Sequence, residues 1–88
     1  VLAGPSVGQF FAELGSNVIK IEFPPKGDVT RQWFSEHENI EDPYSAYFSS
    51  VNWGKQSIFL DLTSNDDYSK AIDLIKNADI VITSLQKL

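Results

Sequence analysis

The sequence predicts an α/β fold in which a parallel sheet is flanked by helices, and three observations support this prediction. Short segments rich in β-branched residues are typical of strands. They alternate with longer segments whose apolar residues recur every three or four positions, which is typical of amphipathic helices. The third observation is a continuous apolar run at residues 80–82, as in a strand covered on both faces. Strands joined through helices run parallel, so this order indicates the Rossmann-like class.

The first predicted elements are the end of a strand at residues 1–2, a helix, and a strand at residues 17–22. Gly4 is the expected N-cap of the helix, with Pro5 at its first position. Gly15 is expected to end the helix in the left-handed conformation, which glycine adopts without steric cost. The apolar positions that follow the helical spacing are Val7, Phe10, Phe11 and Leu14.

The middle of the chain is predicted to be irregular. Prolines and a glycine interrupt any period after residue 23, and residues 28–39 show no sustained spacing of apolar residues. Asp42 followed by Pro43 predicts the start of a short second helix with an aromatic face. About 20 residues before it stay irregular, a length typical of functional loops or of loops packed against another part of a larger protein.

The last third predicts a strand at residues 57–62, a helix, and the strand at 80–82. Ser64 and Asp67 have the spacing of a capping box, and acidic residues in the first turn favour the positive end of the helix dipole. Residues 78–79 are expected to close this helix. Its apolar stripe consists of Tyr68, Ala71, Ile72 and Ile75.

The composition excludes several classes of protein. The chain has 88 residues, no cysteine, no methionine and a formal charge of −5. It therefore holds no disulfide, no zinc–thiolate site and no thiol nucleophile, and its acidic balance argues against a nucleic-acid partner. No apolar run approaches the roughly 20 residues that span a bilayer, and no signal-peptide pattern is present, so no membrane partner is expected. Because the chain starts without methionine and stops soon after a predicted strand, we expect residues 1–88 to be part of a larger domain, truncated at both ends.

The first strand-to-helix turn, residues 2–6, is the best local candidate for a ligand site. Ligands of open α/β sheets bind at the carboxyl ends of strands, and helix N-termini favour anions. The turn lacks the further glycines of a dinucleotide fingerprint and the lysine of a phosphate-binding loop. Local sequence alone favours a tight turn without a ligand.

Other polar and aromatic residues each allow two interpretations. Arg31, the sole arginine, could bind a phosphate or carboxylate through two hydrogen bonds. The simpler interpretation is a surface ion pair with Asp28 or Glu36. Asp61 could hold a ribose hydroxyl or cap the turn after its strand. His37 has no second histidine or cysteine nearby and is interpreted as a solvated loop residue rather than a metal ligand or base. The aromatic residues that could stack on a base, and more commonly pack, are Trp33, Phe34 and Trp53.

Seven stretches, in order and at consistent spacing, carry a resemblance that covers essentially the whole chain. They are residues 1–5 (VLAGP), 13–22 (ELGSNVIKIE), 27–31 (GDVTR), 47–48 (YF), 51–58 (VNWGKQSI), 60–62 (LDL) and 78–81 (ADIV). Together they resemble the opening of the family III CoA-transferases, a group that includes formyl-CoA transferase, the carnitine CoA-transferase and α-methylacyl-CoA racemase.

The resemblance implies that residues 1–88 belong to the large Rossmann-like, CoA-binding domain of a cytoplasmic homodimer with interlocked chains. Such enzymes move CoA from an acyl-CoA donor to a carboxylic acid acceptor, with no prosthetic group and no metal. An aspartate attacks the thioester to form an anhydride, and in the family's order this catalytic residue lies beyond residue 88. A racemase and a non-enzymatic Rossmann-like binding module remain as alternatives, and the stretch at residues 33–48 resembles the transferase branch.

The resemblance also implies which residues contact CoA. Two lie in the first turn, near the nucleotide end of CoA, one lies in the long loop and serves CoA phosphates or the dimer contact, and four lie at a later strand end. Phe23, where some relatives have an arginine, and residues 84–85, where many have asparagine and an aromatic residue, depart from the family's pattern. The implied CoA-binding residues are Leu2, Ala3, Arg31, Leu60, Asp61, Leu62 and Thr63.

Overall fold

Two parallel strands and three α-helices organise the chain in the computed structural model, which describes residues 2–83. The strand at residues 19–22 (β1) pairs with the strand at residues 56–59 (β2), from Ile19 opposite Gln56 to Glu22 opposite Phe59. The α/β class and the parallel pairing of these two predicted strands are therefore confirmed. In chain order the elements are α1 (Ala3–Glu13), β1 (Ile19–Glu22), a 3-10 helix (Val29–Gln32), α2 (Ala46–Ser50), β2 (Gln56–Phe59) and α3 (Asn65–Lys76).

Helix α1 ends as the sequence predicts and begins slightly earlier. Gly15 has φ +92°, and the amides of Gly15 and Ser16 each donate at 3.0 Å to carbonyls of the last turn, the Schellman pattern. Leu2, rather than Gly4, is the N-cap, because Ala3 and Gly4 already lie in the helix. Leu2 has φ −102° and ψ −33°, so the predicted strand end is not found there, and its other residue lies outside the described residues.

Helix α2 begins three residues later than predicted, at Ala46. Its N-cap is Ser45 instead of Asp42, and the Ser45 hydroxyl accepts a hydrogen bond from the Phe48 amide at 3.1 Å. The same hydroxyl donates to the carbonyl of Thr30, and Ser45 is completely buried. Tertiary contact with the 3-10 helix therefore selects the cap, which the local signal of an aspartate before a proline does not reveal.

Helix α3 begins where the sequence predicts, so its predicted N-terminus is confirmed. Ser64 is the N-cap and accepts from the Asp67 amide, and acidic residues occupy the first turn. The Asp67 carboxylate accepts from the Asp61 amide at 2.8 Å, so it ties the helix to the preceding turn and does not close the predicted capping box. The helix ends at Lys76 with Asn77 as C-cap, before the predicted end at residues 78–79.

The predicted strand at residues 80–82 is wrong within the part of the chain that the structure describes. These residues are apolar, yet Ile80, Val81 and Ile82 are 59%, 48% and 43% exposed and join no ladder. An apolar run is compatible with a strand, but a strand also needs a neighbouring strand whose backbone groups form hydrogen bonds with its own, and none among residues 2–83 pairs with this run. The other two strands are shorter than the predicted 17–22 and 57–62.

Among residues 2–83, more polar than apolar side chains are buried. The apolar members are Phe48, Leu60 and Ala71. All but one of the polar members lie at or near the junction between β1, the 3-10 helix and α2, where their hydrogen bonds hold these elements in place; Gln9 lies in α1 and donates to Glu13 of the same helix. These buried polar residues are Gln9, Glu22, Thr30, Ser45 and Asn52. No helix among the described residues is both long enough and apolar enough to cross a membrane.

Candidate functional site

A groove of about 1210 Å³ runs along β1, between α1 on one side and the α3 region on the other. Ala3 and Gly4 line it from the first turn of α1, and Leu60 and Leu62 line it from the end of β2. Residues 77–83, which follow α3, complete the wall. The groove therefore combines a helix N-terminus with an apolar surface.

The groove brings together three of the seven residues that the sequence implicates in CoA binding: Ala3, Leu60 and Leu62. Leu2, Asp61 and Thr63 are chain neighbours of these residues but do not line the groove. Residues more than 50 positions apart in the sequence thus line one surface, and their contact with CoA stays a prediction. Arg31, the seventh, lies elsewhere.

Asp61 caps the turn after β2, which is one of its two predicted roles. Its Oδ1 accepts hydrogen bonds from the hydroxyl and, at 2.9 Å, the amide of Thr63. These hydrogen bonds, the hydroxyl's first, lower the pKa of the Asp61 carboxyl. The turn that presents Leu60 and Leu62 is therefore fixed by local hydrogen bonds.

Arg31 pairs with Glu22, a partner that sequence reasoning missed. Its Nε lies 2.7 Å from Oε1 and its Nη2 lies 2.6 Å from Oε2 of that carboxylate, in the bidentate geometry. The guanidinium carbon also stands 4.0 Å from the ring centroid of Phe48. The predicted surface pair with Asp28 or Glu36 is wrong, because Asp28 pairs with Lys20 at 2.9 Å.

The Glu22 carboxylate is one of the most enclosed charges in residues 2–83, with a side chain only 1% exposed. Burial alone would raise its pKa, but hydrogen bonds from Arg31, the Asp28 amide and Ser57 outweigh burial and lower the pKa to about 2. The one sequence signal for the pair is that Glu22 ends a predicted strand, nine residues before the sole arginine, whereas Asp28 and Glu36 lie nearer to that arginine.

We expect the Glu22 pair to make folding acid-sensitive. A carboxyl whose pKa falls from 4.5 to about 2 on folding stabilises the folded state fully above pH 4.5 and loses that contribution between about pH 4.5 and 2. The contribution is on the order of 3 kcal/mol. Denaturant unfolding measured across this pH range should show that the free energy of unfolding falls more steeply with decreasing pH for the wild-type protein than for Glu22→Gln. Parallel curves would contradict the assignment.

Lys55 is a second residue that sequence reasoning missed as a site residue. It lines the groove, and its Nζ donates to the Pro5 carbonyl at 2.9 Å and to Oδ1 of Asn52 at 2.8 Å. Burial, assisted by the nearby charge of Lys20 and opposed by that of Asp28, lowers its pKa to about 8. Its only sequence signal is its place within the stretch at residues 51–58.

Among the remaining candidates, His37 and Trp33 take the simpler of their predicted roles. His37 lies 3.5 Å from Glu36, and both side chains are more than four-fifths exposed. Trp33 packs on Tyr47 with ring centroids 5.2 Å apart. Trp53 is 69% exposed. Within residues 2–83, no three histidine or carboxylate side chains are placed to hold a metal ion.

The sequence of this chain is similar to known proteins over nearly its whole length. The profile of CoA-transferase family III matches residues 1–87. The succinate–glutarate CoA-transferase of Agrobacterium fabrum is 40% identical over 90 residues, which is 99% of this chain and 22% of that protein. The succinyl-CoA:mesaconate CoA-transferase of Haloarcula hispanica is 37% identical over 98% of this chain and 22% of its own length.

A formyl-CoA:oxalate CoA-transferase of Bradyrhizobium diazoefficiens is 35% identical over 93% of this chain and 19% of that protein. The chain thus spans about a fifth of the length of these curated relatives. No solved structure matches it.

Proposed function

Because the chain belongs to CoA-transferase family III, we propose that it forms part of the CoA site of an enzyme that moves CoA from an acyl-CoA to a carboxylic acid. The names of the three relatives support transfer over the racemase and the non-enzymatic binding module. We further propose that residues 1–88 lie in a larger Rossmann-like domain of a cytoplasmic, interlocked homodimer.

The observation that supports this function best is the shared groove of Ala3, Leu60 and Leu62. Its apolar walls suit the adenine ring and pantetheine arm of CoA, and its volume suits a long ligand. In the first turn of α1, the amides of Ala3 and Gly4 have no partner within the helix and favour an anion such as a phosphate. The groove is also lined by Lys20, which pairs with Asp28, and by Lys55, as well as by the carboxylates of Glu22 and Asp79.

The proposed reaction is a covalent exchange. A carboxylate oxygen of an aspartate beyond residue 88 attacks the thioester carbonyl, the C–S bond breaks, and CoA leaves as the thiolate, giving a mixed anhydride. The thiolate then returns to the activated enzyme carboxyl, releasing the first acid and leaving an enzyme–CoA thioester for the acceptor acid. Residues of this chain hold CoA while the thioester end reacts, so that the thiolate stays close to the anhydride.

The activity is tested by isotope exchange with the full-length protein. An unlabelled acyl-CoA and a labelled free acid are incubated together, and we expect the label to appear in the thioester. Absence of exchange with several acids, while CoA still binds, would refute the transferase proposal and leave the binding module.

The site is tested by adding a negative charge to the groove. Ala3→Asp places a carboxylate at the first position of α1, where the helix dipole tolerates it, but where it repels the phosphates of CoA. We expect the dissociation constant for CoA to rise about tenfold. Ser6→Asp is the matched control, since Ser6 lies in the same turn, is exposed and does not line the groove. Equal effects of the two substitutions would contradict this site.

A further inference from the structure

The side chain of Lys55 connects the segment before β2 to the first turn of α1. Its ammonium donates to the Pro5 carbonyl and to the Asn52 side chain, so it is held by neutral oxygens. None of the ion pairs formed among residues 2–83 includes it. A half-buried lysine with this arrangement acts as a tether between two backbone segments, because the charge strengthens both hydrogen bonds.

The path of this tether is fixed on both sides. Asn52 is buried, and its Nδ2 donates to the Phe48 carbonyl at 2.8 Å, which orients the amide oxygen toward Lys55. On the other side lies Gly8, where an added Cβ would stand 3.1 Å from Cε and 3.2 Å from Nζ of the lysine. Glycine thus leaves the space through which the lysine reaches α1. The burial that lowers the pKa of Lys55 agrees with this enclosure.

The tethered end of α1 lacks the usual side-chain cap. Its N-cap, Leu2, makes no side-chain hydrogen bond to the first turn. Serine, threonine or aspartate at this place would satisfy one of the free amides and stiffen the turn. Ala3 lines the groove two positions before the Pro5 carbonyl, so the hydrogen bond from Lys55 fixes the part of the helix that borders the groove.

We propose that Lys55 is a positioning residue for CoA binding, which holds the first turn of α1, and with it Ala3, in place against the nucleotide end of CoA. The proposal rests on the proposed function. Lys55 acts through the Pro5 carbonyl, so its loss should weaken contacts with the nucleotide and leave the reacting thioester unaffected.

The test compares two substrates in the full-length enzyme. Lys55→Met keeps the length of the side chain and removes its donors. We expect the KM for acyl-CoA to rise about tenfold with kcat changed less than about twofold. The kcat/KM for the matching acyl-pantetheine thioester, which lacks the nucleotide, should stay unchanged. Lys76→Met, at an exposed lysine in the last turn of α3, is the matched control and should alter neither substrate's kinetics.

Each outcome decides the proposal. Equal losses with acyl-CoA and acyl-pantetheine would show a general structural role and overturn it, as would an unchanged KM for acyl-CoA. If Lys55→Met does not fold, Gly8→Ala decides, since its methyl group displaces the lysine by a few tenths of an ångström and should raise the same KM by a smaller factor. A wild-type enzyme that transfers no CoA would instead refute the proposed function.

Discussion

Arg31→Ala should lower the free energy of unfolding by about 3–5 kcal/mol, the largest single effect that we expect in this chain. The substitution leaves the Glu22 carboxylate, whose side chain is 1% exposed, without its bidentate partner. A buried charge without a partner is far more costly than the net gain from the pair itself. The packing of the guanidinium on Phe48 is lost as well. Denaturant unfolding of the full-length protein measures the effect.

Two further variants separate the structural role of Arg31 from its implied contact with CoA. The double variant Glu22→Gln/Arg31→Met removes both charges and should recover a large part of the stability lost in Arg31→Ala. If Arg31 instead serves CoA phosphates, Arg31→Ala should cost less than about 1 kcal/mol and raise the KM for acyl-CoA strongly. The hydrogen bonds of Nε and Nη2 to Glu22 favour the first outcome, and the CoA contact of Arg31 stays a prediction.

Gly27→Ala should destabilise the fold by about 3 kcal/mol or more, for two separate reasons. Gly27 has φ +79°, and an L-residue in this left-handed region costs about 1–2 kcal/mol. A Cβ at this position would also collide with Oε1 of Glu22 and would stand 3.2 Å from Nε of Arg31. The methyl group therefore displaces the ion pair in addition to straining the backbone.

Gly15→Ala is the matched control for this substitution. Gly15 has φ +92°, but no atom lies within 4 Å of the position that its Cβ would take. It should cost only the backbone strain, about 1–2 kcal/mol. The difference between the two variants measures the displacement of the Glu22 carboxylate. Equal losses of stability, or an unchanged acid transition in Gly27→Ala, would contradict this explanation.

Elements that local sequence determines were predictable. The Schellman end at Gly15 and the start of α3 at Ser64 depend on residues within one helical turn, so their signals are complete in the sequence. The parallel pairing of β1 and β2 is an exception, because it joins distant residues and was predicted from the alternation of strands and helices along the chain.

Features that depend on distant partners were not predictable. Ser45 becomes the cap of α2 because its hydroxyl reaches Thr30, 15 residues earlier. Glu22 and Arg31 meet because the turn at Gly27 brings them together, and the sequence offered nearer acidic residues for the arginine. In the candidate site, the resemblance indicated Ala3, Leu60 and Leu62, whereas the role of Lys55 depends on a carbonyl 50 residues away.

The Glu22–Arg31 pair also bears on the order in which the chain folds. Pairing β1 with β2 directly, from residue 19 to residue 56, closes a long loop and loses a corresponding amount of chain entropy. The ion pair closes a loop of only nine residues, and the bond from Ser45 to Thr30 closes one of 15. When these short loops form first, the entropic cost of closing the remaining loop between β1 and β2 is lower by about 1 kcal/mol. We therefore expect the contacts between Glu22, Arg31, Thr30 and Ser45 to form before β1 pairs with β2, and to shorten the chain segment that this pairing has to close.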